Sequence, residues 1–207
     1  MSIVLFHHPF SRAAGSVWPL EEVGVEHELH FVDILAGAQK APEILAMNPM
    51  GKLPILKDGD LVVTEAAAIA LYLADRYAPG RLAPALDDPE RGRYLRWSCF
   101  APAVIEPAVM AERSGWQVET RSAGWGDYAT MLDTAEHALE GREFILGDRF
   151  SMADVIFGGT LAWMMSVDLI ERRPTFAAYA ERLAARPAKK RADERNAAIA
   201  AERGLSA

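Results

Sequence analysis

The stretch Asn48-Pro49-Met50-Gly51-Lys52-Leu53-Pro54-Ile55-Leu56 decides the fold, and nine residues after it comes Glu65-Ala66-Ala67-Ala68-Ile69. Pro54 opens an apolar run directly after Gly-Lys-Leu, where it cannot donate a sheet hydrogen bond. A cis Leu53–Pro54 bond resolves this, because it turns the chain so that the backbone of Leu53 faces outward. Leu53 then offers its N–H and C=O to an extended peptide lying alongside, as another strand would. Asp58-Gly59 closes a hairpin between 54–57 and 60–63. The helix that follows, 65–77, brings Glu65 and three backbone N–H groups to the same edge.

A peptide held by its backbone and a carboxylate held at a helix N-terminus describe a glutathione site, and on these residues the chain resembles the cytosolic glutathione transferases. The order and spacing of the motifs carry the resemblance over nearly the whole chain. The first half is similar to the family's thioredoxin-like α/β domain and the second to its all-helical bundle. The member it looks like is a bacterial-looking, serine-type one of the phi and theta kind. The resemblance implies a glutathione-binding domain over 1–78, a linker over 79–87, and an all-α domain over 88–207 that forms the pocket for an electrophile.

Composition agrees with a soluble globular protein and excludes several alternatives. The 207 residues suffice for one large domain or two small ones. Half the chain is apolar (51%) and a quarter charged (25%), the balance of an ordinary globular protein. A net charge of −7, with no basic stripe carrying interleaved aromatics, argues against nucleic acid as a partner. Ile3-Val4-Leu5-Phe6 is strand-like and leaves no room for a cleavable signal, and no apolar run approaches the roughly 20 residues of a membrane span. The single Cys99 excludes an intrachain disulfide and a cysteine metal cluster, so the expected compartment is the reducing cytoplasm.

Along the chain, 2–6 reads as a short buried strand and Leu20-Glu21-Glu22-Val23-Gly24 as the end of an amphipathic helix that Gly24 stops. His27–Val32 alternates apolar and polar residues as a half-buried strand. Two strands flanking one helix form a βαβ unit, hence a parallel pair. Pro19 lies inside the first helix and predicts a kink. A short helix is expected near 41–47. Tyr77-Ala78-Pro79-Gly80 is linker chemistry; Asp88-Pro89-Glu90 restarts a helix with Asp88 as N-cap. The remainder has helical spacing to the end, and Lys189-Lys190-Arg191 reads as a solvated helix face.

Glutathione transfer needs a thiolate, and a cysteinyl thiol of pKa about 8.5 is only a few per cent ionised near neutrality. The family supplies the stabilising donor as a Tyr, Ser or Cys at or after the first strand. Tyr72 is the first tyrosine and Cys99 the lone cysteine, both too late, which leaves a serine. Ser11, in His7-His8-Pro9-Phe10-Ser11-Arg12-Ala13, stands where the serine-type members carry their thiol-activating hydroxyl. Its other role is helix N-cap, and the two are compatible. Ser16, one turn further on, is the lesser candidate. His7 and His8 lack a third ligand at metal spacing; they either end the strand or line the pocket, and no metal is expected.

By resemblance, Gln39 and Lys40 reach the glycine carboxylate of glutathione, with Lys52 as a second cation. Leu53 and Pro54 hold the cysteinyl part. Glu65 pairs with the α-ammonium of the γ-glutamyl residue, and Ala66 offers only its N–H where the family commonly has a Ser. One missing hydrogen bond costs about 1 kcal/mol. The electrophile pocket is expected from Pro9 and Phe10 together with Trp97, Phe100, Ala101 and Val104, an apolar lining with no acid–base pair. Met50 matches the family position whose side chain inserts into a homodimer partner. Ser151-Met152-Ala153-Asp154 is a capping-box pattern, and Asp154 reads as structural.

The activity so implied is conjugation of glutathione to an apolar electrophile, a detoxification chemistry. Glutathione-dependent dehalogenation or isomerisation on the same scaffold stays open, although the isomerase type's cysteine-rich serine loop is absent. Also open is a non-catalytic stress protein that binds glutathione or other ligands without turnover.

Overall fold

A computed structural model describes residues 3–205. The chain divides into two compact units, one comprising Pro79–Ala185 and the other the residues before and after it. The sequence predicts that everything from 88 onward belongs to the helical half. Instead the segment from 186 on groups with the residues before 79, packing along α1 (Ala13–Val23).

In the first unit, β1 (Ile3–His7), α1 (Ala13–Val23), β2 (His27–Phe31), α2 (Pro42–Met47), β3 (Ile55–Asp58), β4 (Leu61–Thr64) and α3 (Ala66–Tyr77) follow in chain order. The four strands form one sheet in the order β2-β1-β3-β4. As expected of a βαβ unit, β1 and β2 are parallel; β3 runs antiparallel to both β1 and β4, closing the Asp58-Gly59 hairpin. The first strand runs one residue beyond the expected end, to His7, and residue 2 lies outside the described residues. On one face Phe6, Ile55 and Val62 pack with Val32 and Ile44. On the other, Ile3 and Leu5 are buried, and α1 packs against α3. The alternation of a strand sends successive side chains to these two faces. Helix α1 runs unbroken through Pro19, and Gly24 ends it as a left-handed cap whose N–H reaches the Leu20 carbonyl at 3.1 Å.

The last helix, α9 (Pro187–Glu202), joins this unit because α1 ends in two adjacent carboxylates that match its arginines. Arg186 donates to both oxygens of Glu22 (2.7 and 2.9 Å), while Arg191 (2.8 Å) and Arg195 (2.9 Å) converge on Glu21. Burial alone would push the Glu21 carboxyl up, but the two guanidinium bonds hold it below its ordinary value. Ala188 and Ala192, one turn apart and both buried, let the helices approach. The run Lys189-Lys190-Arg191 is therefore not purely a solvated face, since Arg191 is an anchor.

The second unit holds α4 (Arg91–Phe100), α5 (Glu106–Arg113), α6 (Tyr128–Leu139), α7 (Met152–Ser166) and α8 (Pro174–Ala184). Helix α4 begins at Arg91, not at the Asp88-Pro89 step. The Asp88 carboxylate takes the Glu90 N–H (2.8 Å) and its carbonyl the Arg91 N–H (2.9 Å), so the capping chemistry forms a turn ahead of the helix. A single wide turn of π-helix, Ala101–Ile105, joins α4 to α5. Pro102 and Pro107 both lack the amide that a regular ladder would use there.

At the start of α7 the capping box forms as the sequence predicts. Buried Asp154 accepts from Ser151 N (2.8 Å), Ser151 Oγ (3.1 Å), Ile145 N (2.7 Å) and Tyr179 Oη (2.7 Å). Burial raises its pKa and these four donors work against the rise. Gly158 permits the close approach of α8: a Cβ there would sit 2.2 Å from Leu183 Cδ1 and 2.8 Å from Tyr179 Cε1. No helix among the described residues is long and apolar enough to cross a membrane.

Candidate glutathione-type site at the end of the sheet

The sheet register alone gathers most of the expected residues. The last pairs are His7 with Phe31, Phe6 with Ile55, and Ile55 with Thr64. These pairs place the ends of β1, β2 and β4 and the start of β3 at one end of the sheet, in strands about 4.8 Å apart, so His8, Val32, Pro54 and Glu65 stand next to the last paired residues there. The Leu53–Pro54 bond is cis. An extended ligand on Leu53 would thus have the β1–α1 loop on one side and the start of α3 on the other.

In that loop the half-buried Ser11 hydroxyl donates to the His8 carbonyl at 2.9 Å and accepts the Ala13 N–H at 3.1 Å. The second bond is N-cap work, so the capping role that the sequence allows is present. The first ties the hydroxyl to the residue that follows β1. Ser16 is buried in α1, one turn on, with its hydroxyl unpartnered. Pro9 is buried beside Ser11, and Phe10 is exposed at 43%.

His7 and His8 are both buried. Phe10 N–H donates to His8 Nδ1 at 3.1 Å, which leaves the ring proton on Nε2. His7 Nε2–H donates to Asn196 Oδ1 at 2.6 Å, and Asn196 Nδ2 donates to the Ala14 carbonyl at 3.1 Å. Burial, above all, holds both imidazoles below the usual histidine range, so they are neutral at pH 7. Among the described residues no group of three or more His, Cys, Asp or Glu is assembled for a metal.

On the loop before Pro54, buried Asn48 accepts the Met50 N–H (3.1 Å) and donates to the Lys52 carbonyl (3.0 Å). Lys40 Nζ donates to the Met50 carbonyl at 2.9 Å. Gly51, at φ +59, is packed so closely that a Cβ would meet Lys40 Cδ and Nζ at 2.7 Å. Lys40 and Gln39, in a 3-10 turn (Ala38–Lys40), are thereby fixed against the loop that carries Lys52 and Leu53. Gln39 Oε1 is buried without a partner, and Lys52 is exposed. The sequence singled out neither Asn48 nor the Lys40–Met50 bond. An Asn before a Pro-Met-Gly turn is the signal that could have found the first.

Glu65 is not the first residue of α3 but its cap, exposed, at φ +66 and ψ 119. A non-glycine residue at positive φ costs on the order of 1–3 kcal/mol and is kept where surroundings demand it. No side-chain hydrogen bond caps α3, so its first N–H groups have no side-chain partner of that kind. Behind it, the hairpin is tied to α3 by Asp58, which takes hydrogen bonds from Tyr77 Oη and from Tyr72 Oη (2.7 Å). Burial and this carboxylate push Tyr72 up to about 12.

In the helical unit, Trp97 and Ala101 are buried, and Phe100 and Val104 are half-buried. Phe100 packs tilted and Phe157 edge-on against Trp97, with ring centroids 5.1 and 5.4 Å away, an arrangement of core packing. Trp97 also floors a cavity of about 270 Å³ rimmed by Arg93, Arg96, His137 and Arg142, a polar rim that apolar helix spacing did not announce. Trp116 and Trp163 are exposed at 59% and 45%.

Comparison with known proteins adds an independent line. Residues 1–75 match the glutathione S-transferase N-terminal domain and residues 117–182 the glutathione S-transferase C-terminal domain. Glutathione S-transferase theta-2 of Homo sapiens is 30% identical over 202 residues, covering 89% of this chain and 82% of the relative. The glutathione transferase structure from Methylococcus capsulatus str. Bath superposes with a TM-score of 0.77 at 31% identity, over 95% of this chain and 100% of the other. A theta class glutathione S-transferase from Xanthomonas axonopodis pv. citri, solved with glutathione bound, gives 0.72 at 28% identity, over 92% of this chain and 96% of the other.

Proposed function

The chain belongs to the glutathione S-transferase family, and from that premise we propose that it conjugates glutathione to an apolar electrophile with the Ser11 hydroxyl stabilising the thiolate. One observation carries the reading: the Ser11 hydroxyl is bonded to the carbonyl of His8, which follows β1 at the same end of the sheet where the cis Leu53–Pro54 bond leads into β3. A cysteinyl residue paired with Leu53 has its sulfur within reach of that hydroxyl. On binding, the O–H swings from the neutral His8 carbonyl to the sulfur while the Ala13 N–H stays on Oγ. A neutral hydrogen bond worth about 1 kcal/mol is exchanged for a charge-assisted one roughly twice as strong. The serine acts as neither base nor nucleophile; it lowers the thiol pKa by favouring the anion.

The ends of glutathione are held on either side. The γ-glutamyl carboxylate takes the uncapped N–H groups of α3, and Glu65 takes the α-ammonium. Strained backbone at Glu65 supports a positioning role there. Lys40, Lys52 and Gln39 serve the glycine carboxylate. The exposed Phe10 is the apolar contact for the electrophile. Met50, 68% exposed on the loop before Pro54, supports a homodimer in which it is covered. The single cysteine fits a cytoplasmic enzyme.

The test is steady-state conjugation of an aromatic halide by wild type and Ser11→Ala. The variant is expected to lose about a hundredfold in kcat with little change in glutathione affinity. Equal turnover in the two proteins refutes the role of Ser11. A second reading is favoured by the hydroxyl's present donation to a carbonyl: a protein that holds glutathione without activating it. Binding with no turnover in wild type selects that reading.

A further inference from the structure

We propose that Asn196 is a positioning residue for Ser11, acting from the last helix of the chain. The inference rests on the reading of Ser11 given above. Ser11 sits in the segment 8–13, bounded by His7 at the end of β1 and by Ala14 in the first turn of α1. One side chain grips both ends: Asn196 Oδ1 accepts His7 Nε2–H at 2.6 Å and Asn196 Nδ2 donates to the Ala14 carbonyl at 3.1 Å. The two bonds fix the amide's orientation, since only one way round serves a donor and a carbonyl together. Within the loop, Ser11 N and Oγ both bond the His8 carbonyl, and Ala14 N–H bonds the Ser11 carbonyl at 3.0 Å. The hydroxyl is therefore referenced to two backbone points, and Asn196 sets the distance between them.

The clamp has a rigid mount. Arg186, Arg191 and Arg195 anchor α9 to Glu21 and Glu22 of α1, and Ala192, one turn before Asn196, is buried. His7 is buried and, held neutral, is a fixed N–H donor and not a mobile charge. Nothing in local sequence links residues 7, 14 and 196; the contact spans 189 positions.

The experiment compares wild type, Asn196→Ala, Asn196→Asp and Ser11→Ala. Glutathione affinity is read by calorimetry, and the pKa of the bound thiol by thiolate absorbance against pH. Asn196→Ala is expected to bind glutathione within about threefold of wild type, while the bound thiol pKa rises by about half a unit or more. Conjugation at pH 6.5 should then fall by about twofold to threefold, the loss of thiolate that half a unit brings, mostly in kcat. Asn196→Asp keeps the acceptor for His7 and should lie between the two. A merely structural role would lower stability and leave the thiol pKa untouched. If Asn196→Ala does not fold, the Asp variant carries the same measurement. A wild-type thiol pKa that is lowered equally in the Asn196 variants overturns the inference alone. A wild-type thiol that is unshifted, or unaffected by Ser11→Ala, overturns it together with the reading of Ser11.

Discussion

Asp154→Ala tests the energetics of the helical unit most severely. The carboxylate is fully buried and accepts four hydrogen bonds, from Ile145 N, Ser151 N, Ser151 Oγ and Tyr179 Oη, at 2.7–3.1 Å. Alanine removes the acceptor and leaves at least three buried donors, Ile145 N, Ser151 N and Tyr179 Oη, without it. At about 1–3 kcal/mol for each orphaned group, the gross cost is about 3–9 kcal/mol. Two effects reduce it. Alanine is a better helix former by about 0.5–0.7 kcal/mol, and the desolvation that raises the Asp154 pKa is relieved. A net loss of about 3–5 kcal/mol follows, a large share of the 5–15 kcal/mol typical of a whole domain. Urea denaturation measures the loss, and amide exchange at Ile145 and Ser151 localises it. A change below about 1 kcal/mol, or exchange at those two amides no faster than in wild type, would refute the account of Asp154 as the bracket between the 145–151 segment, α7 and α8.

Three further outcomes are expected. Gly158→Ala should destabilise by about 2 kcal/mol, because its Cβ falls 2.2 Å from Leu183 Cδ1 and α8 must back away; an unchanged urea midpoint contradicts this. Ala66→Ser should tighten glutathione binding about fivefold, the worth of one neutral hydrogen bond, in a calorimetric titration. Stability should fall from pH 7 toward pH 5. His7, His8 and His27 all lie below their ordinary value, chiefly through burial, and His27 Nε2 faces Arg195 at 2.6 Å. The unfolded chain therefore takes up protons near pH 6.5 that the folded chain does not, so their contribution is whole above that pH and is lost as pH falls through the folded values. Glu21, held below its ordinary value, adds to the loss at the acid end, while Asp154, raised in the fold, opposes it. Urea midpoints flat from pH 7.5 to 5 would contradict this.

What the sequence made legible was local. Pro54 after Gly-Lys-Leu, Asp58-Gly59, Gly24 and Ser151-x-x-Asp154 each carry their signal within a few residues, and the cis bond, the hairpin, the helix stop and the capping box are all present. The fold class followed from the family resemblance that the order and spacing of such signals carry. What stayed hidden was set by distance or by backbone. Glu21 and Glu22 read only as part of an amphipathic helix end until arginines 164 to 174 positions later meet them, so α9 could not be assigned to the first unit. The clamp of Asn196 on His7 and Ala14 is of the same kind. Glu65 reads as a helix residue because residue type does not announce a positive φ outside glycine and asparagine. The wide turn at Ala101–Ile105 escapes because helical spacing is nearly preserved through it.

The central claim is that this chain binds glutathione and lowers the pKa of its thiol. The direct measurement is a pH titration of thiolate absorbance for glutathione bound stoichiometrically to the wild-type protein. The account predicts a thiol pKa one to two units below the free value of about 8.5. Glutathione bound with an unshifted thiol, or not bound at all, would contradict it.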